Sequence, residues 1–421
     1  MTATAPHRPP ARGTLPDIAV TGLGMLTPAG LDVASTWDGV CDGKSTAATS
    51  DQLAGLTIDF VCSIPPFDAA ALLGRRTAHR LDRSTQLAVI AAKEALADAD
   101  LDPRTWDGAR VGVVIGCGVG ASRTWETQAQ RLREGGSRLV SPLLLPMIGP
   151  STPAGEVALA CDARGPSLAT ATACASGATA LVIARDLLTS GQCDVVIAGG
   201  TESCNTPLIV SGLYQLGALS TRCDDPAAAS RPFDHARDGF VLGEAAAILI
   251  LERAPDADAR GQRPRALLAG CGSTTDAYHP TAPHPEGRGI QHAIRTALTD
   301  ADLSPQDIAH VNAHGTSTRL NDAVEAEAIR TVLPSGPHIT STKGVLGHSL
   351  GATGAVEAAL TVLAVQHSLI PPTANLERPD PAFAHDLNFV TKAPTSRRVD
   401  AALTHSFGFG GHNVVLAFRA P

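Results

Sequence analysis

The sequence predicts a layered α/β protein built from two related halves. Three observations carry that reading. Short apolar runs alternate with helical patterns along most of the 421 residues, several of the runs end in glycine clusters, and one block recurs 202 residues later. The block is Ala95-Leu96-Ala97-Asp98-Ala99-Asp100-Leu101-Asp102-Pro103, which returns as Ala297-Leu298-Thr299-Asp300-Ala301-Asp302-Leu303-Ser304-Pro305. In both copies a helical pattern precedes and a strand-like run follows. A duplicated unit explains this better than chance, with halves at 17–255 and 265–420 joined around Ala254-Pro255-Asp256-Ala257-Asp258.

In chain order, residues 1–16 read as a loose polar tail without the apolar stretch of a signal peptide. Strands are expected at Ile18–Val20, Val111–Ile115, Val195–Ala198 and Ala247–Leu251 in the first half. The second half offers Ala309–Asn312, Ala402–Thr404 and Val414–Phe418. Glycines at Gly22, Gly24, Gly116, Gly118, Gly120, Gly199 and Gly200 mark tight turns or close backbone approach. Gly22-Leu23-Gly24 lacks the third glycine and acidic partner of a dinucleotide-binding fingerprint.

Composition narrows the function. A net charge of −8 argues against general affinity for nucleic acid or anionic membrane, and no apolar run reaches spanning length. The nine cysteines are odd in number, scattered and without a CxxC pair. That speaks against a disulfide framework or a zinc site and for a reducing, cytoplasmic setting.

Four stretches carry chemistry. In Ser167-Leu168-Ala169-Thr170-Ala171-Thr172-Ala173-Cys174-Ala175-Ser176-Gly177-Ala178 a strand-capable segment runs into one cysteine and then a small-residue helix. Cys174 is thereby set at a strand-to-helix turn, where free backbone N–H groups and the helix dipole favour a thiolate. A buried packing cysteine is the competing reading. In Val311-Asn312-Ala313-His314-Gly315-Thr316-Ser317-Thr318 a strand delivers His314 to a turn, as a donor or base facing a cleft or as a structural histidine. The third stretch, Thr340 to Ala355, holds Lys343 and His348 in a glycine-rich approach to a small-residue helix containing Glu357. Such density of small residues implies close approach to another helix or to a ligand. The fourth, Ser406-Phe407-Gly408-Phe409-Gly410-Gly411-His412-Asn413, either presents N–H groups to an oxyanion beside two rings or is an ordinary hairpin.

Together these stretches resemble the β-ketoacyl-[acyl-carrier-protein] synthases, condensing enzymes of the Cys-His-His type. The matching motifs are Ala-Thr-Ala-Cys-x-Ser-Gly, Asn-Ala-His-Gly-Thr-Ser-Thr and Lys-x-x-x-Gly-His-x-x-Gly-Ala, in the family's order. Arg231-Pro232-Phe233-Asp234, Arg237 to Glu244 and Asp276-Ala277-Tyr278-His279 extend the likeness over most of Asp17–Phe418.

The resemblance implies a thiolase-like fold, its duplicated halves layered α-β-α-β-α. It implies that Cys174 takes an acyl chain as a thioester, with N–H groups of Cys174 and Phe409 forming an oxyanion hole worth ~3 kcal/mol per donor. His314 and His348 would hold the thioester oxygen of malonyl-carrier while its carboxylate leaves. Lys343 would pair with Glu357 and tune the histidines, and Asp322 and Glu325 would be structural. Thr281, Thr316 and Thr318 would bind the phosphopantetheine arm, and Phe407 would help close the pocket. No metal or redox cofactor is implied. The implied partners are acyl carrier protein and a second subunit, either a copy of this chain or a related ketosynthase or chain-length factor.

Three positions depart from the family pattern. Leu213 follows Gly212 where a phenylalanine is common, Trp125 stands at an acyl-pocket position or at a dimer contact, and Ala245 replaces a glycine after Glu244. A basic cluster of Arg75, Arg76, His79, Arg80 and Arg83 reads as a solvated helical face or, for Arg76 and Arg80, as a docking site for an acidic carrier. The favoured pathway is type II polyketide synthesis, with fatty-acid elongation as the alternative. A non-catalytic chain-length factor is disfavoured because Cys174 is retained. A degradative thiolase would need a second cysteine motif, a Cys-His-Asn enzyme would carry asparagine at His348, and a cysteine hydrolase would release free acid.

Overall fold

The computed structural model describes residues 16–383 and 385–421; the expected tail lies outside them except for Pro16. The first half supplies β1 (Ile18–Leu26), α1 (Arg83–Asp98), β2 (Val111–Gly116), α2 (Thr152–Ala160), β3 (Ser167–Thr170), α3 (Ser176–Thr189), β4 (Val195–Glu202) and β5 (Ala245–Arg253). The second supplies β6 (Ala266–Thr275), α4 (Arg288–Asp300), β7 (His310–Asn312), α5 (Arg319–Val332), β8 (His338–Thr340), α6 (Thr353–His367), β9 (Asn388–Phe389), β10 (Ala401–Gly408) and β11 (His412–Arg419).

These strands form one sheet in the order β9-β8-β7-β10-β11-β6-β1-β5-β4-β2-β3. The halves meet at a short antiparallel seam, Ile18–Val20 of β1 against Ala266–Leu268 of β6. Outward from it, β1, β5 and β4 run antiparallel and then β2 and β3 parallel to β4. On the other side β6, β11 and β10 repeat the antiparallel run, and β7 and β8 the parallel one. Order and sense are the same in both halves, apart from β9, an additional parallel strand at the edge of the second.

The repeated block explains the match in detail. It ends α1 in one half and α4 in the other, and its Asp100 and Asp302 adopt the same left-handed turn, φ 51° and 53°. Gly22 and Gly24 of β1 lie so close to Ala95 and Ala91 of α1 that a Cβ would collide with their carbonyl oxygens; Gly270 and Gly272 of β6 meet Ala297 and Ala293 of α4 in the same way. The glycines thus let an alanine-faced helix sit directly on the first strand of each half.

The three largest apolar cores lie between the layers. α1 and α2 pack on the outer face of the first half, and α4 and α5 on that of the second. Between the halves lie α3 and α6, and every residue of α6 from Thr353 to Val365 is buried, as expected of a helix enclosed on all sides. The small residues noted near Ala355 serve helix–helix contact: a Cβ on Gly354 would lie 2.6 Å from Ala178 N, and one on Gly177 2.7 Å from Ala355 N. Overpacking there would cost roughly 1–3 kcal/mol and push α3 away from α6. No described helix is long and apolar enough to cross a membrane.

Candidate active site

Cys174 follows β3 by four residues. Ala173, in the left-handed region at φ 49°, turns the chain sharply, and Ala173–Ala175 form a short 3-10 turn that runs into α3. Ser176 secures the bend: its hydroxyl donates to Ala173 O at 2.6 Å and accepts from Thr172 N–H at 3.0 Å. The Cys174 side chain is buried, and burial pushes its thiol up to about 11. Lys343 and the backbone N–H groups of Phe409 and Cys174 itself pull the other way, while Glu202 adds to the rise.

The β10–β11 hairpin brings Phe409 to this sulfur. Its strands pair up to Gly408 opposite His412, leaving Phe409, Gly410 and Gly411 as the tip. A Cβ on Gly408 would stand 3.1 Å from Cys174 N and 2.6 Å from Thr172 O, so only glycine admits the hairpin to the Cys174 turn. Two backbone N–H groups therefore flank the sulfur, which is the layout of an oxyanion hole.

The two histidines come from the second half. His348 Nε2 lies 3.2 Å from Cys174 Sγ, and its Nδ1 faces the Thr353 hydroxyl at 3.0 Å. His314 stands edge-on to it, ring centroids 5.4 Å apart. The His314 backbone N–H donates to Glu325 Oε1 at 2.8 Å and that of Gly315 to Oε2 at 2.7 Å, which pins the turn at the end of β7. Burial first, then the charge of Lys343, holds both imidazoles well below their ordinary range, so each is neutral.

Lys343 is enclosed with Glu357, its Nζ 2.5 Å from Oε1. Burial pushes Glu357 up to about 8 although Lys343 draws it down. Asp322 accepts N–H groups of Phe233 at 2.8 Å and Ser317 at 3.2 Å, and burial raises it to about 6. Glu325 also takes His405 Nδ1 at 3.0 Å. Both acids thus clamp backbone behind the site.

A cavity of about 470 Å³ joins these groups to the surface, and Cys174, His314, His348, Phe407 and Phe409 line it. So do Leu213, Thr281, Thr316 and Thr318, with the last two hydroxyls 2.9 Å apart.

Of the two readings of Trp125, the acyl-pocket one is corrected for this chain: the ring is 54% exposed on the helix Ser122–Gly135 and does not line the cavity, an exposure that fits the dimer-contact reading. The basic cluster is also corrected in part. Arg80 is held in a two-pronged pair with Glu156, and Arg83 in one with the buried Glu244 at 2.7 and 2.8 Å. Arg75, Arg76 and His79 remain exposed. Ser203 and Ile64 N–H also bind Glu244, which gives the Gly243-Glu244-Ala245 step a structural role. Two contributors were not assigned from sequence: Thr353, the hydroxyl on His348, and Phe240, whose ring meets His348 edge-on at 5.1 Å. Both fall inside quoted motifs, but nothing in their type or spacing announces these contacts.

The chain is similar to known proteins along almost its whole length. The family model for the N-terminal domain of beta-ketoacyl synthase matches residues 16–257, and that for the C-terminal domain matches 265–377. A 3-oxoacyl-[acyl-carrier-protein] synthase 2 of Synechocystis is 42% identical over 407 residues, covering 96% of this chain and 97% of the relative. The ishigamide ketosynthase/chain length factor superposes with a TM-score of 0.90 at 30% identity, covering 97% of this chain and all of that one. A type II polyketide synthase acyl-carrier protein in complex with its ketosynthase bound to the hexaketide gives 0.88 at 32%, with the same coverage.

Proposed function

The chain belongs to the β-ketoacyl synthase family, and from that premise we propose that it joins an acyl chain held on Cys174 to a malonyl unit on acyl carrier protein. The observation that carries the proposal is the meeting of His348 Nε2 with Cys174 Sγ at 3.2 Å, beside the His314 ring, in one cavity.

In the first half-reaction the Cys174 thiolate attacks the thioester carbonyl of acyl-carrier. N–H groups of Cys174 and Phe409 receive the oxyanion, and the departing carrier thiolate takes up a proton from water, replacing the one Cys174 gave up to become a thiolate. The low charge on both imidazoles suits the second half-reaction. The Lys343 ammonium has no lone pair, so at 3.4 Å it can only donate to His314 Nδ1, which leaves the ring proton on Nε2. A Thr353 hydroxyl donating to His348 Nδ1 fixes the same tautomer there. Two N–H donors then face the malonyl thioester oxygen as carbon dioxide departs. The enolate carbon attacks acyl-Cys174, the thiolate returns, and a 3-oxoacyl-carrier leaves. Thr281, Thr316 and Thr318 line the way for the arm, Phe407 and Leu213 bound the acyl end, and every step runs on side chains and backbone without a metal or redox group.

The pathway reading preferred is the ketosynthase subunit of a type II polyketide synthase, supported by the solved ketosynthases that superpose on the chain. Fatty-acid elongation is the second reading, favoured by the higher identity to the Synechocystis enzyme. Carrier protein and a second ketosynthase or chain-length-factor subunit are the partners proposed from those complexes, and a reducing cytoplasm is the setting. Intact mass of carrier-bound products decides: one added two-carbon 3-oxo unit supports condensation, and free acid alone would overturn it. A homodimer acting on saturated acyl carriers would favour fatty-acid elongation. Product formed only beside a co-purified subunit would favour the polyketide reading.

A further inference from the structure

Glu202, the last residue of β4, is fully buried and takes no part in the chemistry above. Its carboxylate nevertheless gathers the most donors of any acid near the site. Oε2 accepts the N–H groups of Gly118 at 2.6 Å, Val119 at 3.1 Å and Gly351 at 3.2 Å. Oε1 accepts Gly120 N–H at 3.0 Å and the thiols of Cys117 and Cys204, each at 3.3 Å. All six partners donate, so both oxygens act only as acceptors, and the charge is balanced by dipoles with no cation in contact among the described residues.

The donors come from two different halves of the molecule. Residues 117–120 form the loop after β2, while Gly351 lies three residues after His348 and just before α6. No space separates these segments. A Cβ on Gly118 would sit 2.9 Å from Glu202 Oε2 and 3.4 Å from both Ala173 O and Gly351 N. A Cβ on Gly351 would fall 2.7 Å from the same carboxylate oxygen. Ala173 precedes the nucleophile and Leu350 precedes Gly351, and both hold left-handed backbone, φ 49° and 43°, that a side chain disfavours. Something must hold those turns in place.

We propose that Glu202 is a positioning residue whose carboxylate ties the Gly118–Gly120 loop to Gly351, keeping the Cys174 turn of one half in register with the His348 segment of the other. It deepens the condensing-enzyme reading and depends on it for the kinetic readout only. Glu202 also sets the charge around the sulfur, since its negative charge opposes the thiolate that Lys343 favours. The groups acting on the Cys174 sulfur are therefore His348 in contact, Lys343 and Glu202 through their charges, and the N–H groups of Phe409 and of Cys174 itself.

The test is Glu202→Gln in the full chain, with Glu202→Ala beside it. The amide keeps the size but removes the charge and one acceptor. The expected result for E202Q is a fall in kcat of ten- to a hundredfold with KM for malonyl-carrier within about twofold, because the arm-lining threonines are untouched. The pH midpoint for alkylation of Cys174 by iodoacetamide should move down by half a unit or more. A folded E202Q with unchanged kcat and an unmoved midpoint would overturn the proposal, as would a loss of thermal stability with both kinetic readouts intact. Should neither variant fold, amide hydrogen exchange on the unaltered chain decides. The N–H groups of Gly118, Val119, Gly120 and Gly351 should open as one unit, and independent exchange of Gly351 would sink the idea. Alkylation and exchange need no substrate, so failure of the condensing reading would appear separately, as absence of a 3-oxo product from the unaltered chain.

Discussion

Lys343 Nζ stands 3.4 Å from Nδ1 of His314 while it also donates to that residue's backbone carbonyl, so one ammonium fixes both the ring and the strand end that bears it. Its charge reaches further: burial pushes Cys174 up and His348 down, and the ammonium opposes the first shift and adds to the second. Lys343→Met removes that charge at similar volume. Cys174, already pushed up to about 11, should rise further, so alkylation at pH 8 slows at least severalfold and its midpoint moves up. Both imidazoles should take up a proton more readily. Decarboxylation in the variant would then fall at pH 6 more steeply than in the parent.

The two half-reactions should separate by mutation. Cys174→Ala abolishes the acyl-enzyme, seen as loss of the acyl mass on the intact chain. His314→Ala should leave that mass in place and lower malonyl-carrier decarboxylation by about a hundredfold or more, as expected when a preorganised donor to a developing oxyanion is removed. Equal loss of both steps in His314→Ala would contradict the division of labour.

Arg76 and Arg80 should behave differently although only three residues separate them. Arg76 is exposed, so Arg76→Glu should raise KM for carrier-bound substrate several-fold at low salt and less at high salt. Arg80 is spoken for by Glu156, and Arg80→Glu should instead cost about 1 kcal/mol of stability by setting like charges together. Matched titrations with a carrier thioester and a carrier-free thioester check this.

His310 offers a stability test away from the chemistry. It is fully buried with Nε2 on the Thr340 hydroxyl at 2.9 Å, and burial lowers it to about 3. A lowered value means that the unfolded chain binds the proton first, so stability is lost as pH falls from about 6.5 towards 3. Relative to His310→Gln, the parent should lose about 1.4 kcal/mol per pH unit across that window. Denaturant midpoints at pH 7, 5.5 and 4.5 would reveal it, and parallel curves would refute it.

Much of this site is legible in the chain because reactive groups at strand ends need small neighbours. Ala173, Gly315 and Gly408 sit beside Cys174, His314 and Phe409 for steric reasons that leave a local mark in composition. The internal repeat is legible for a related cause, since alanine faces and strand glycines must match in both halves. β6 escaped the sequence reading although it sits at the seam. Its Gly270 and Gly272 answer to α4, and its core lacks the β-branched residues that announce a strand. The ion pairs of Arg80 and Arg83 were invisible for another reason: Glu156 and Glu244 lie far away in sequence.

The equivalence of the two halves has a last consequence. The slot after β3 and before α3 bears a sulfur, while the matching slot after β8 and before α6 bears an ammonium and an imidazole. Two separate copies of a single unit would have to place identical groups in both slots. Fusing them in one polypeptide frees each slot to specialise, so nucleophile and acid can drift apart chemically while the scaffold that aligns them stays the same.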